Sequence, residues 1–179
     1  MDKYTGNVSN YLKSTQEILA EMSLEEISAL ERELTRAQQD VKKIAVILDK
    51  GALAPTRAHQ EDAGLDLYSP NDGAIKPGGS LTIDTGVHVQ IPTGYVGMLK
   101  SKSGLNVHAG IQSEGVIDAG YTGSIVAKLY NHGEYTVRIQ RADKITQLVL
   151  MPTITPEVEI VEYFPQTERG EKGFGSTGR

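Results

Sequence analysis

The hydrophobic positions of this chain change period near residue 44. Before it, apolar residues return every three or four positions: Val8, Tyr11, Leu12, Ile18, Leu19 and Met22, then Ile27, Leu30, Leu34, Ala37, Val41 and Ile44. That spacing lays an apolar stripe along a helix. Ser23 and Glu26 have the spacing of a capping box, so a second helix is predicted to begin at Leu24. Glu31, Glu33, Arg36 and Lys42 fall outside its stripe, which reads as a short heptad seam. Residues 1–43 are thus expected to form a helical extension, a hairpin packed on the rest of the chain. A self-associating helix and a partner-binding helix are the alternatives.

After residue 44 the segments become short, β-branched and often alternating: "KIAVIL", "LTIDTGVHVQI", "GYVGML", "GSIVAKLY", "YTVRI" and "ITQLVLM". Turn signals separate them, among them "SPNDG", "KPGG", "IPTG" and "NHGE". Many short strands at this spacing predict an all-β barrel or jelly roll. Strand and helix do not alternate, which argues against a Rossmann fold.

Composition narrows the picture. At 179 residues the chain suits one domain plus an extension. The net charge of −5 argues against direct nucleic-acid binding, although local cations can still hold a small anion. With no cysteine, disulfides and thiolate zinc sites are excluded. The opening residues lack a signal-peptide core, and no apolar run has the length of a membrane span, so a soluble cytoplasmic protein with no membrane partner is expected.

Four segments carry candidate chemistry. In "EGVIDAGYTG", Asp118 follows Val116 and Ile117, where burial at a strand edge would suit a general base. A turn aspartate is the alternative. Tyr121 could face a ligand or pack across strands. In "KSKSGLN", Lys100, Lys102, two hydroxyls and the Gly104 amide could cradle an oxyanion, or form a solvated lysine pair. In "AGLDL", Asp66 among apolar residues could face a hydrated divalent ion or cap a turn. The tail "RGEKGFGSTGR" combines Arg169, Lys172, Ser176 and Thr177 with Phe174 and exposed glycine amides. It could bind phosphate oxygens or be a solvated end. His59, His88, His108 and His132 show no metal spacing, and no Walker pattern occurs.

In order, "AGLDLYS", "SKSG", "GVIDAGYTG", "ADKITQL" and "RGEKGFGSTG" resemble the five motifs of the trimeric dUTPase family, with "ALAPTRA" upstream resembling the run that precedes the first. The resemblance spans residue 44 to the C-terminus and omits the helical start. It implies a mainly β, jelly-roll subunit at 44–165, a glycine-rich arm at 166–179 that closes over the active site, and a homotrimer with sites between subunits. The implied reaction is hydrolysis of dUTP to dUMP and pyrophosphate, with Mg²⁺ on the triphosphate.

On that match, Asp118 deprotonates the attacking water and Tyr121 lies against the deoxyribose. Backbone atoms of Gly115, Val116 and Ile117 read uracil, with Gln112 nearby. Lys102, Ser103, Gly104 and Gln147 contact phosphates, and Asp66 reaches the metal through water. Arg169, Ser176 and Thr177 hold the γ-phosphate, Phe174 stacks on uracil, and glycines such as Gly175 let the arm wrap the triphosphate.

Three positions depart from the family pattern. Lys102 stands for its usual arginine, Gln112 for an asparagine and Ala142 for a glycine. The dCTP deaminases resemble the same motifs but carry a catalytic glutamate where "VAKLYN" has Lys128, which disfavours deamination. A nucleotide-responsive regulatory module, gripping a protein partner through the helical extension, is the reading from another class.

Overall fold

A computed structural model describes residues 20–40, 43–167 and 169–171, with the side chains of 33–40 left aside. The first predicted helix, Val8 to Met22, lies outside the described residues as far as residue 19; Ala20 and Glu21 at its end are helical. Helix α1 covers Leu24–Asp40 and starts where the capping box predicts. The Ser23 and Glu26 amides are each bonded to the other residue's side chain, at 2.8 and 3.2 Å. The bonds from Ser23 hold the Glu26 carboxyl below its usual range. Ile27 is half-buried and Leu30 is exposed; the seam from Leu34 to Val41 lies outside the described side chains.

The remainder is antiparallel β structure. Its strands are β1 (Val46–Leu48), β2 (Gly64–Tyr68), β3 (Gly73–Ile75), β4 (Ser80–Asp84) and β5 (Val87–Val89), followed by β6 (Tyr95–Ser101), β7 (Ile111–Ile117), β8 (Val126–Asn131), β9 (Val137–Ile139) and β10 (Lys144–Pro152). Six of them form one sheet in the order β2-β10-β6-β7-β8-β4, and β1-β5 and β3-β9 pair separately. Such pairings between distant strands are those of Greek-key all-β folds. Strand β8 alternates cleanly, with Ala127, Leu129 and Asn131 inward and Val126, Lys128 and Tyr130 outward.

Two apolar clusters fill the interior. One joins Leu65, Leu67, Val87, Leu99, Ile117 and Leu148, and the other Ile75, Ile111, Leu129, Ile139 and Ile145. Asn131 is buried but fully used. Its amide donates to the Ile75 and Tyr135 carbonyls, both at 2.8 Å, and its oxygen accepts from Gly133 N–H. Among the described residues, no helix is long and apolar enough to cross a membrane.

The structure departs from the sequence reading in three places. "LTIDTGVHVQI" is not one strand; it breaks between β4 and β5, where Gly86 turns at φ 65° and its N–H bonds to Asp84 Oδ1. "AGLDL" is strand β2, buried on both faces and therefore without alternation. "SGLNVHA" is a short helix, α2 (Ser103–Ala109), inside the β6–β7 connection.

Ala142 is the one described non-glycine residue with positive φ, at 71°. Its N–H is bonded to Ser69 O at 2.8 Å and Asp143 O accepts from Ser69 N–H, so the backbone cannot relax. The left-handed conformation costs an L-residue roughly 1–2 kcal/mol, against about 0.4–1 kcal/mol of extra unfolded-state entropy for glycine. Ala142→Gly is therefore expected to stabilise the fold modestly, raising Tm by about 1–3 °C in a thermal melt.

Candidate functional site

Three of the candidate segments meet on the β2-β10-β6 part of the sheet. Asp66 on β2 pairs in register with Gln147 on β10, and Gln147 with Lys100 on β6. The Gln147 amide donates to Ser101 O at 2.9 Å. Gly64 makes room for it, because a Cβ there would run into Gln147 Oε1. The backbone of Asp66 is fixed by paired bonds with Thr56, at 2.7 and 3.2 Å.

The Asp66 side chain is only 4% exposed and takes two ammonium groups. Lys102 Nζ lies 2.5 Å from Oδ1 and Lys144 Nζ 2.8 Å from Oδ2. Burial pushes the carboxyl up, but the two lysines together outweigh it and hold the group below its usual range. The same contact raises Lys144. One carboxylate takes two ammoniums, with the Asp62 carboxylate also within electrostatic reach of Lys144. Beside it, Lys102 is the N-cap of α2, whose first turn carries Ser103 and Gly104. Both are exposed, and a Cβ at Gly104 would meet nothing within 4 Å, so packing within the chain does not require glycine there. Amides of a first helical turn lack intrahelical acceptors. Lys102 and these amides can together face an anion.

Asp118 and Tyr121 lie elsewhere. β6 and β7 run antiparallel with Gly97 opposite Ile117 and Leu99 opposite Gly115. At the α2 end of this hairpin, Ser113 N–H bonds Ser101 Oγ at 2.9 Å. Asp118 follows the far end of β7, five residues on, which is about 17 Å along a strand. There it opens a turn, closed by Tyr121 N–H on Asp118 O at 3.2 Å, with Gly120 at φ 88°. The Tyr121 hydroxyl donates to Ser124 O at 3.0 Å, and its ring is packed so close to Gly123 that no side chain fits there.

Asp118 is exposed, so the burial expected of it is not supplied by the single chain. Ile117 points into the core, Val116 points outward and is 60% exposed, and Gly115, between β6 and solvent, is half-buried. Gln112 is half-buried and pairs with Tyr130 across β7–β8. Lys128 lies on the outward face of β8, its ammonium 5.4 Å above the Tyr130 ring.

Of the arm, Arg169 is described; Lys172, Phe174, Gly175, Ser176 and Thr177 lie outside the described residues. The stretch leading to it, after β10, exposes Ile154 by 87%, Ile160 by 95% and Phe164 by 86%. Apolar side chains in a row this exposed mark a surface meant to be covered.

Among the described residues no three His, Asp or Glu groups cluster as a metal site. Each Asp66 oxygen already takes one lysine ammonium, so a hydrated ion would share the carboxylate with Lys102 or Lys144.

Sequence reasoning missed Lys144. Its approach to Asp66 depends on a register shift in the β2–β10 ladder between Lys144 and Thr146, which no local pattern announces. It also missed any role for His88, which reaches the Thr122 carbonyl next to Tyr121.

A family profile described as dUTPase matches residues 50–178. A deoxyuridine 5'-triphosphate nucleotidohydrolase of Clostridium tetani is 38% identical over 136 residues, covering 74% of this chain and 94% of that protein. The dUTPase of Staphylococcus bacteriophage 80alpha with dUPNHPP superposes with a TM-score of 0.71 at 36% identity, over 76% of this chain and 99% of that one. It comes from work on phage dUTPases that control transfer of virulence genes by a proto-oncogenic G protein-like mechanism. A variant dUTPase of phage phi11 of S. aureus, which coordinates a structural Mg(II) ion, superposes with a TM-score of 0.63 at 33% identity, over 68% and 98% of the two chains.

Proposed function

Because the chain belongs to the dUTPase family, we propose that it hydrolyses dUTP to dUMP and pyrophosphate, in sites assembled between the subunits of a homotrimer. One observation carries the assembly: the cluster of Asp66, Lys102, Lys144, Ser103, Gly104 and Gln147 sits at one end of the β6–β7 hairpin, and Asp118 with Tyr121 at the other. About 17 Å of strand lies between them, which supports a site completed by a second subunit. The exposed apolar residues from Ile154 to Phe164 support the same reading, since a neighbouring subunit can cover them.

In such a site the triphosphate lies on the Ser103 and Gly104 amides, with Lys102 and Gln147 alongside. From the adjoining subunit, the Gly115–Ile117 backbone meets the uracil edge and Tyr121 the deoxyribose. Gln112 stands beside them. Asp118 accepts a proton from the water that attacks the α-phosphorus, and pyrophosphate leaves. Positioning and charge stabilisation provide most of the acceleration in such a transfer. The arm, with Arg169, Phe174, Gly175, Ser176 and Thr177, closes the site and excludes other water. If Mg²⁺ is bound with the triphosphate it would screen its charge, and Asp66 would be the residue that holds it, through water. Lys128, outward on β8, gives no support to deamination.

The test is pyrophosphate release from dUTP, with UTP and dCTP as controls. Release from dUTP with no ammonia from dCTP is expected; a protein inert towards dUTP would overturn the proposal.

A second reading, a regulatory module, is favoured by one observation: helix α1 ends before residue 50, where the family match begins. A chain starting at Lys43 is expected to keep full turnover and its trimer in light scattering. Loss of the trimer would make the helix an assembly element.

A further inference from the structure

His88, on β5, has an acceptor at each ring nitrogen. Nδ1 lies 2.8 Å from the carbonyl oxygen of Thr122, and Nε2 lies 3.3 Å from Asp49 Oδ2. A neutral imidazole carries one N–H and can serve only one of them, whereas the imidazolium serves both. Thr122 directly follows Tyr121. Beyond it the chain is docked, with Ile125 N–H on Val87 O at 2.8 Å and the Ser124 hydroxyl on Asp84. Before it, β7 ends at Ile117. Among the described residues, the bond from His88 is the hydrogen bond that ties residues 118–123 to another strand.

We propose that His88 is a positioning residue for the turn carrying Asp118 and Tyr121, and that loss of its second ring proton loosens that turn. The charged groups facing the ring are Asp49, after β1, and Asp84, at the end of β4. Asp84 is already held by Ser124 and the Gly86 amide, so Asp49 is the competitor for a ring proton. When one proton remains, the charge-assisted bond to the Asp49 carboxylate outcompetes the neutral carbonyl. Thr122 O then faces a lone pair. The Thr122 carbonyl, and next the Asp49 carboxylate, raise the His88 pKa, so the doubly bonded state extends above the usual histidine range. The turn is held below the folded pKa and released as pH rises through it.

The coupling of ring to turn is independent of the dUTPase reading; its effect on substrate choice rests on that reading. Two readouts on the full chain separate them. In an NMR titration from pH 5.5 to 9, the backbone amides of Gly120, Tyr121, Thr122 and Gly123 are expected to shift together with the His88 ring. In kinetics, the preference for dUTP over UTP is expected to fall about fivefold to tenfold over the same range, the worth of one net hydrogen bond. His88→Phe should show the low preference at every pH. His88→Asn, whose amide replaces Nδ1–H, should keep the high preference without titrating, and so should Asp49→Asn, which removes the competing charge. Amides that stay fixed while His88 titrates, or a wild-type pH profile in His88→Phe, would overturn the positioning role. Titrating amides in a protein that does not hydrolyse dUTP would support the coupling and overturn the dUTPase reading alone.

Discussion

Asp118→Asn is expected to lower dUTP turnover by about a hundredfold to ten-thousandfold, the usual contribution of a general base. Stability should hardly change, because the side chain is exposed. Gly104→Asp is expected to be as inactive for a different reason. It places a carboxylate where the triphosphate should lie, in open space that lets the variant fold. If each site takes its phosphate cluster from one subunit and Asp118 from another, the two inactive proteins should rescue each other. Random reassembly of an equal mixture into trimers gives about a quarter of the sites a wild-type complement. Pyrophosphate release from the co-refolded mixture, compared with each variant alone, measures this. An inactive mixture that forms mixed trimers would place all the chemistry within one subunit and sink the shared-site proposal.

Asp66→Asn is expected to cost stability rather than only substrate affinity. Removing one partner of a buried ion pair costs about 3–5 kcal/mol when the remaining charge stays trapped. Here the loss should be nearer 2 kcal/mol, because Lys102 and Lys144 are 24% and 42% exposed and can turn to solvent. The sign with pH follows from the directions of the shifts. Asp66 is held low in the fold, so its stabilisation is present above the unfolded carboxyl pKa of about 4 and is lost as pH falls through the lower folded value. Lys144 is held high, so its share is present below about 10.4 and is lost as pH rises through its folded value. Urea unfolding should show wild type and Asp66→Asn well separated at pH 7 and converging below pH 4. A separation that persists undiminished into strong acid would mean that packing, not charge, holds Asp66.

The strands with clean local signals were legible in the sequence. β8 alternates residue by residue, and β6 and β10 stand out as short apolar segments between turn residues, so their existence as strands was readable without partners. β2 was not, because burial on both faces erases alternation and leaves only Asp66 conspicuous. Nor was α2, seven residues long, whose short sequence "SGLNVHA" has no room for a helical period. The site divides in the same way. Residue types within each motif were readable, including the tie between the Ser23–Glu26 box and α1. What joins the motifs was not. The Lys102–Asp66–Lys144 contact arises from strand pairing between the two ends of the domain, and the separation of Asp118 from Ser103 arises from hairpin register. Both are properties of topology, which no window of sequence contains.

The strand order also fixes when the sheet can exist. β10, late in the chain, lies between β2 and β6, and β2 has no other partner in that sheet. During synthesis β2, which the finished fold buries on both faces, must therefore wait until almost the whole domain has left the ribosome. Pairings this distant make folding slow, on the order of milliseconds to seconds, because the loop entropy is spent before the contacts repay it. The same strand that seats Gln147 against Asp66 is the one that closes the sheet, so the nascent chain cannot assemble the Lys102–Asp66–Lys144 cluster until the fold is complete.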